Sequence, residues 1–407
     1  AMPRGTVEAA RSLLEVFQNL ANPDETGAKQ VEIREFLHGS GKTHVRGVGA
    51  ITKIPKGAAV LKIPGEYVIA ANDIKGDRFE SGPHSPGKID GKTKLGLWLA
   101  EKKSEWLEHP AHKLTPRERY WRDAINVYPT LDDYESRGIP LAASEEDLNR
   151  ISSLPAIGHA GSWASGARGR LAMAQATYNS AVQKAPADGH AALNWEDALW
   201  GRILSLTGSF GVGTDCGGGM VAPVADLVNH SANHNAIFDC DPASGELKIT
   251  SIRDIQPGEE VTISYKSSSA PLFQFYGIVE HAGAPEKLSD ADCAALGDAH
   301  LEQGTSPLLK TAERFAEIHC PSPQPEADVE PKHDPQAVSD APVASQPALQ
   351  ASVATPLPKI AGAALSPLVA LLQPLMLFPK RERWETGVRQ RRRSSQACRP
   401  AGMTDFI

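Results

Sequence analysis

Between Met220 and Glu280 the chain sets an amide, an imidazole and two phenols beside short apolar runs, and these side chains could do chemistry. Asn229-His230-Ser231 follows Pro223-Val224-Ala225-Asp226-Leu227-Val228, so it lies where a buried segment surfaces into a Gly- and Asn-rich setting. Further on, Val261-Thr262-Ile263-Ser264-Tyr265 reads as a strand. Strand side chains alternate, so Val261, Ile263 and Tyr265 share one face. With the aliphatic pair in a core, the Tyr265 hydroxyl is carried inward, where it needs a polar partner or a reaction to serve. His230 and His234 stand four apart, but their Asn-rich segment is not helical and no third ligand cluster accompanies them, so no metal is expected. No Gly-x-Gly-x-x-Gly follows a strand in a βαβ unit, and no Gly-x-Ser-x-Gly elbow is present. Asn229-His230-Ser231 also spells a glycosylation sequon, without a secretory signal to support it.

The elements that must position these residues follow from local pattern. Val7, Ala10, Leu13, Leu14, Phe17 and Leu20 are at helical spacing, predicting an amphipathic helix over 7–20. Strands are expected from Val31, at 49–54 and at 59–63, the last two separated by the turn Pro55-Lys56-Gly57. From about Gly65 to Ala192 strand signals stop. A helix is marked by Leu95, Trp98, Leu99, Lys102 and Trp106, a second opens at Ser144 and a third is capped by Asn194. Residues 156–192 are Ala- and Gly-rich and weakly patterned, and Gly208 to Gly219 reads as a flexible loop. Residues 236–240 and 246–252 read as a hairpin around Asp241-Pro242-Ala243-Ser244-Gly245.

A chain of 407 residues has ample length for a core, and a net charge of −7 gives no reason to expect nucleic-acid binding. The five cysteines are scattered and odd in number, which argues against a disulfide framework and for a reducing compartment. No secretory signal is visible after Ala1-Met2. The Pro/Ala/Ser-rich tract at 320–358 is unlike a core, and 361–378 is apolar but broken by Pro367 and Pro374. The basic residues around Arg391-Arg392-Arg393 read as a solvated tail.

Arg46-Gly47-Val48-Gly49, followed by Ile51-Thr52-Lys53-Ile54-Pro55-Lys56-Gly57, then Asn229-His230-Ser231, Gly258-Glu259-Glu260, Tyr265 and Tyr276-Gly277, resembles the SET domain. Trp121, Pro129, Tyr134, Ile139-Pro140-Leu141, Leu148 and Leu154-Pro155 resemble the helical insertion of the subclass that contains the plastid Rubisco large-subunit methyltransferase, and the run from Trp195 to Trp200 resembles another feature of that subclass. The resemblance covers about residues 7–280. It implies an α+β fold of small β-sheets, with a helical insertion and a knot-like crossing in which the last segment threads under a loop beside Asn229-His230. The expected organisation is an N-terminal helix at 1–28, a SET domain at 29–280 with its insertion at about 65–192, a partial helical region at 281–318, and a disordered tail at 319–407.

The implied function is S-adenosylmethionine-dependent protein-lysine N-methylation. Tyr265 is then the catalytic tyrosine; Arg46, Gly47, Val48, Gly49, Asn229 and His230 bind the cofactor; Tyr276 walls the lysine channel. Such transfer needs a neutral amine, in line with the sulfonium methyl and shielded from water, and neither a metal nor a covalent intermediate. No cysteine-rich zinc knuckle of the kind carried by histone-modifying relatives is present, which favours a non-histone protein substrate. A monomer, with no nucleic-acid or membrane partner, is expected in cytoplasm or nucleus, or in a plastid if a transit peptide has been lost. A histidine methyltransferase of the same fold and an inactive binding module are the alternatives. The departures are Lys266, Ser267-Ser268-Ser269-Ala270, and Cys240 where relatives tend to place an aromatic residue.

Overall fold

The computed structural model describes residues 6–38, 43–79, 89–154, 157–184, 189–211, 216, 219–265, 269–279, 289, 291, 293–294 and 306–320. The chain divides into residues 1–331 and 332–407, and all described residues belong to the first unit. The expected disordered tail, the apolar stretch at 361–378 and the basic residues near Arg391 lie outside the described residues, as do Lys266, Ser267 and Ser268.

The apolar spacing of α1 (Val7–Leu20) builds the helix that the sequence predicts, with Thr6 accepting a hydrogen bond from the Ala9 amide at 3.2 Å as its N-cap. Its buried Ala10, Leu13, Leu14 and Phe17 join the main core. After the single turn α2 (Pro23–Thr26), β1 (Val31–His38) and β2 (Thr43–Ala50) pair antiparallel, from Val31 opposite Ala50 to His38 opposite Thr43. The strand expected at 49–54 therefore ends at Ala50. The chain bends at Ile51 and Thr52 and meets Ile255 at the Ile54 bridge, before the turn in which Gly57 stands at φ 81°.

β3 (Ala59–Ile63) and the short β4 (Ile69–Ala70) precede the helical insertion. The insertion holds α3 (Gly91–Glu108), α4 (Pro116–Val127), α5 (Leu131–Ser136), α6 (Glu145–Ser152) and α7 (Gly158–Lys184), and α8 (Trp195–Thr207) follows it. Ser144 and Asn194 cap α6 and α8 as their sequence context suggested. The helix α7 is where the weak pattern misled. Its buried face is written mostly in Ala and Gly because α6 lies against it: a Cβ on Gly161 would stand 2.3 Å from Ser152 Oγ and 2.7 Å from the Leu148 carbonyl. A hydropathy pattern does not register a face selected for smallness.

Then come β5 (Ser209–Phe210), β6 (Met220–Val221), β7 (Asn229–His230), β8 (Ala236–Cys240), β9 (Leu247–Ser251) and β10 (Thr262–Ile263). The sheets are small: β1-β2, β3-β9-β8, β4-β6-β5 and the parallel pair β7-β10. The helices α9 (Ser269–Tyr276) and α10 (Pro307–His319) close a second core, where Leu308, Leu309, Ala312 and Phe315 meet Phe273, Leu148 and Ile151. The expected helical region at 281–318 thus supplies a helix packed on the insertion.

The cysteine reading needs correcting. Cys216 bonds Cys240, and Cys293 bonds Cys320; Cys398 lies outside the described residues. Scattered spacing carried no sign of these pairs, because they are made where the end of β8 meets the loop after β5 and where the end of α10 meets residue 293.

Glu101 organises the insertion. Its carboxylate, 5% exposed, accepts from Arg78 Nε at 2.7 Å and Nη2 at 3.0 Å and from the Tyr178 hydroxyl at 2.6 Å. Burial pushes its pKa up, but the Arg78 and Tyr178 hydrogen bonds and the Arg78 charge outweigh this and hold it below the usual value. We expect Glu101→Gln to destabilise the fold by about 2–3 kcal/mol at neutral pH, since Arg78 loses a mostly buried partner. A lowered folded pKa gives stability that is full above the unfolded value and lost as pH falls through the folded one. The gap between the two melting temperatures should therefore begin to narrow as pH falls below the unfolded value of about 4.3; an equal gap at pH 7 and pH 3 would refute the assignment.

Candidate active site

The parallel pairing of β7 and β10 sets Asn229 opposite Thr262 and His230 opposite Ile263. Asn235, 1% exposed, holds them in place: its Oδ1 accepts from the Thr262 amide at 2.9 Å and its Nδ2 donates to the Glu260 carbonyl at 2.7 Å. Val261 and Ile263 are buried, as is Thr262 between them, and Tyr265 is partly buried against the same core. The Tyr265 amide donates to His230 Nδ1 at 3.1 Å, and its hydroxyl donates to the Val228 carbonyl at 2.7 Å. Its ring packs on Tyr276, with centroids 4.8 Å apart and planes at 41°.

The turn before β7 is strained. Val224, fully buried and β-branched, holds φ 74° and ψ −52°. The Tyr120 hydroxyl donates to the Pro223 carbonyl at 2.9 Å, and Asp226 accepts from the Ala222 amide at 3.2 Å and the Tyr128 hydroxyl at 2.6 Å. These bonds clamp the turn that delivers Asn229. Burial pushes the Asp226 carboxyl well above the usual carboxylate range.

Asn229 Nδ2 donates to the Arg46 carbonyl at 2.9 Å and to Glu260 Oε1 at 2.8 Å. Both partners are acceptors, so the amide orientation is set by the network and Oδ1 is what Asn229 can offer a ligand. Glu260 is held in turn by His38 Nε2 at 2.8 Å from its Oε2. A Cβ on Gly47 would stand 2.5 Å from Glu260 Oε1 and 2.6 Å from Asn229 Nδ2. Glycine at 47 thus makes room for a side-chain hydrogen bond.

Arg46, Asn229, His230, Tyr265 and Tyr276 line one cavity of about 1120 Å³. Gly47, Val48 and Gly49 lie beside it without lining it; Val48 is fully buried, and its carbonyl accepts from the Val261 amide at 2.8 Å. The guanidinium of Arg46 donates to the Thr6 and Val127 carbonyls, and its pKa is lowered to about 10, first by burial and then by Arg137. Asp226, Tyr128 and Tyr134 also line the cavity. Sequence reasoning gave these no site role, although Asp226 and Glu260 sat inside the motifs it used. Among the described residues no group of three His, Cys, Asp or Glu side chains is arranged to hold a metal ion, and no helix is long and apolar enough to cross a membrane.

Burial raises the phenol of Tyr265, with Tyr276 and Asp226 adding to the shift, and burial pushes Tyr276 up to about 12. Both therefore stay protonated around neutrality and act as hydrogen-bonding groups. The cavity offers a tethered hydroxyl, an amide acceptor and aromatic walls, with neither an activated nucleophile nor a metal set among the described residues.

A SET domain model matches residues 45–266, more than half of the chain. The chain belongs to the SET domain family. It is similar to the N-lysine methyltransferase setd6 of Salmo salar, 40% identical over 62 residues that make up 15% of this chain and 13% of that protein. It is also similar to the SET domain of LSMT bound to lysine and AdoHcy, with a TM-score of 0.48 and 16% identity over 67% of this chain and 57% of that one. Rubisco LSMT bound to AdoMet gives a TM-score of 0.45 and 16% identity over 67% and 56% of the two chains. The chain thus spans little of the curated relative's length and less than two thirds of either solved chain.

Proposed function

We propose that this chain is an S-adenosylmethionine-dependent protein-lysine N-methyltransferase that acts on a non-histone protein. The observation that carries the reading is the Tyr265 hydroxyl, tethered to the Val228 carbonyl and walled by Tyr276 in the cavity that Asn229 and His230 also line. Membership of the SET family and the name of the salmon relative support the same reaction class. The non-histone class follows the subclass that the helical insertion resembles.

The residues fit the cofactor. Asn229 Oδ1 is an acceptor, which suits the ammonium of a methionine moiety, and the cavity is as large as a site for cofactor and lysine side chain together needs to be. S-adenosylmethionine supplies the methyl group when bound. The chain's own part is positional. With its hydroxyl proton committed to Val228, Tyr265 presents lone pairs that accept from an amine N–H and so aim the nitrogen lone pair. A lysine amine titrates near 10.4 in water, and burial beside the Arg46 charge favours its neutral form inside the cavity.

The test is isothermal titration with S-adenosylhomocysteine, wild type against Asn229→Ala, followed by labelled methyl transfer. Wild type should bind, and the variant should lose about tenfold or more in affinity, the worth of a charge-assisted hydrogen bond. A folded wild type that does not bind would overturn the proposal and leave a scaffold that binds proteins without modifying them. Labelled methylhistidine in the product would assign the sister reaction instead.

A further inference from the structure

Besides Arg11, which donates to the Ile33 carbonyl, the cavity wall carries three cations that the chemistry above does not use. Arg137 is the C-cap of α5, and Lys310 and Arg314 lie one turn apart on α10. All three are exposed, and all three line the cavity that holds Tyr265 and Tyr276. The two helices are locked together beside them: a Cβ on Gly138 would stand 2.5 Å from Thr311 Oγ1 and 2.7 Å from the Pro307 carbonyl. The three charges are therefore presented on a rigid rim.

The ion pairs of the described residues use other side chains. The acids of α10, Glu313 and Glu317, do not line the cavity, and its exposed carboxylates, Glu8 and Glu35, belong to α1 and β1. Glu35 already has His44 at 3.6 Å. Lys310 and Arg314, four apart on one helix, repel each other. The charge of Arg137 also reaches inward, acting on both Arg46 and Tyr265. Solvent reaches these cations, whereas Asn229 is half-buried and His230 buried, so they face an arriving chain rather than the cofactor's end of the cavity.

We propose that this rim selects protein segments with acidic residues flanking the target lysine, seated on Arg137, Lys310 and Arg314. The proposal rests on the lysine-methyltransferase reading for what enters the cavity, but the charge preference of the rim can be measured without turnover. The probes are fluorescein-labelled peptides with a central lysine flanked by Asp and Glu, by Asn and Gln, or by Lys and Arg. Binding is read by anisotropy on the full chain, wild type against Lys310→Glu/Arg314→Glu, with Lys310→Gln/Arg314→Gln as a neutral control. S-adenosylhomocysteine is titrated separately on each protein.

The acidic peptide should bind wild type most tightly and lose about tenfold with the reversed pair, and its affinity should fall as salt rises. The neutral variant should fall between. Equal affinity for the three peptides on wild type would overturn the proposal. So would a loss of S-adenosylhomocysteine affinity in the variants with the peptide ranking unmoved, since the cations would then serve the cofactor's carboxylate. Absence of S-adenosylhomocysteine binding in every protein, with the acidic preference intact, would sink the methyltransferase reading and leave the rim standing.

Discussion

Tyr265→Phe should slow methyl transfer by about 100-fold or more while S-adenosylhomocysteine affinity changes little. The change removes one oxygen, the one that donates to the Val228 carbonyl at 2.7 Å. Ring packing against Tyr276 and the amide bond from Tyr265 to His230 do not involve that oxygen. The structural cost is one net hydrogen bond, about 1 kcal/mol, too little to unfold a domain of this size. The kinetic cost is larger because the amine loses the group that orients it, and misalignment of about 1 Å is worth about 100-fold. The pH profile carries the second half of the prediction. Burial raises both phenols, Tyr276 to about 12, so each remains neutral through the range in which a lysine substrate loses its proton. The rate should therefore rise with pH and show no break at an ordinary tyrosine pKa near 10. Single-turnover rates between pH 7 and pH 10 check this. A variant that retains wild-type rate removes Tyr265 from the mechanism.

Gly201→Val should cost about 3 kcal/mol or more in stability, the largest effect expected from any single change where α8 meets the insertion. A Cβ on Gly201 would stand 2.1 Å from the Gly96 carbonyl oxygen, and one on Gly96 would stand 2.9 Å from the Arg202 Cα and amide nitrogen. These are backbone atoms of α3 and α8, so no side chain can swing aside and the helices must separate. Separation would disturb the main core, to which α3 contributes Leu97, Leu99 and Ala100 and α8 contributes Ala198, Trp200 and Leu204. It would also move Leu204 and Thr207, which line the cavity, so activity should fall with stability. Gly169 is the control. It is exposed in α7, and nothing lies within 4 Å of the Cβ it would gain, so Gly169→Ala should stabilise by about 0.5–1 kcal/mol. Denaturant midpoints measure both; a Gly201→Val protein with a wild-type midpoint would refute the close crossing.

Sequence by itself determined what one period of backbone geometry can express. The 3.6-residue spacing from Val7 to Leu20 gave α1 its bounds. Turn chemistry at Asp241–Gly245 set the hairpin of β8 and β9, and the motif order pointed to the SET family before any contact was known. Tertiary structure alone decided which of these pieces meet. Asn229 and Glu260 are 31 residues apart, and His38 and Glu260 are 222 apart; no local pattern states that they form one network, nor that Gly47 is small for their sake. The same holds for Cys216 with Cys240, for Asp226 with Tyr128, and for Lys310 beside Arg137 on the cavity rim. Helix α7 marks the boundary, because its face was selected for smallness against α6, and smallness leaves no hydropathy signal until the neighbouring backbone is in place.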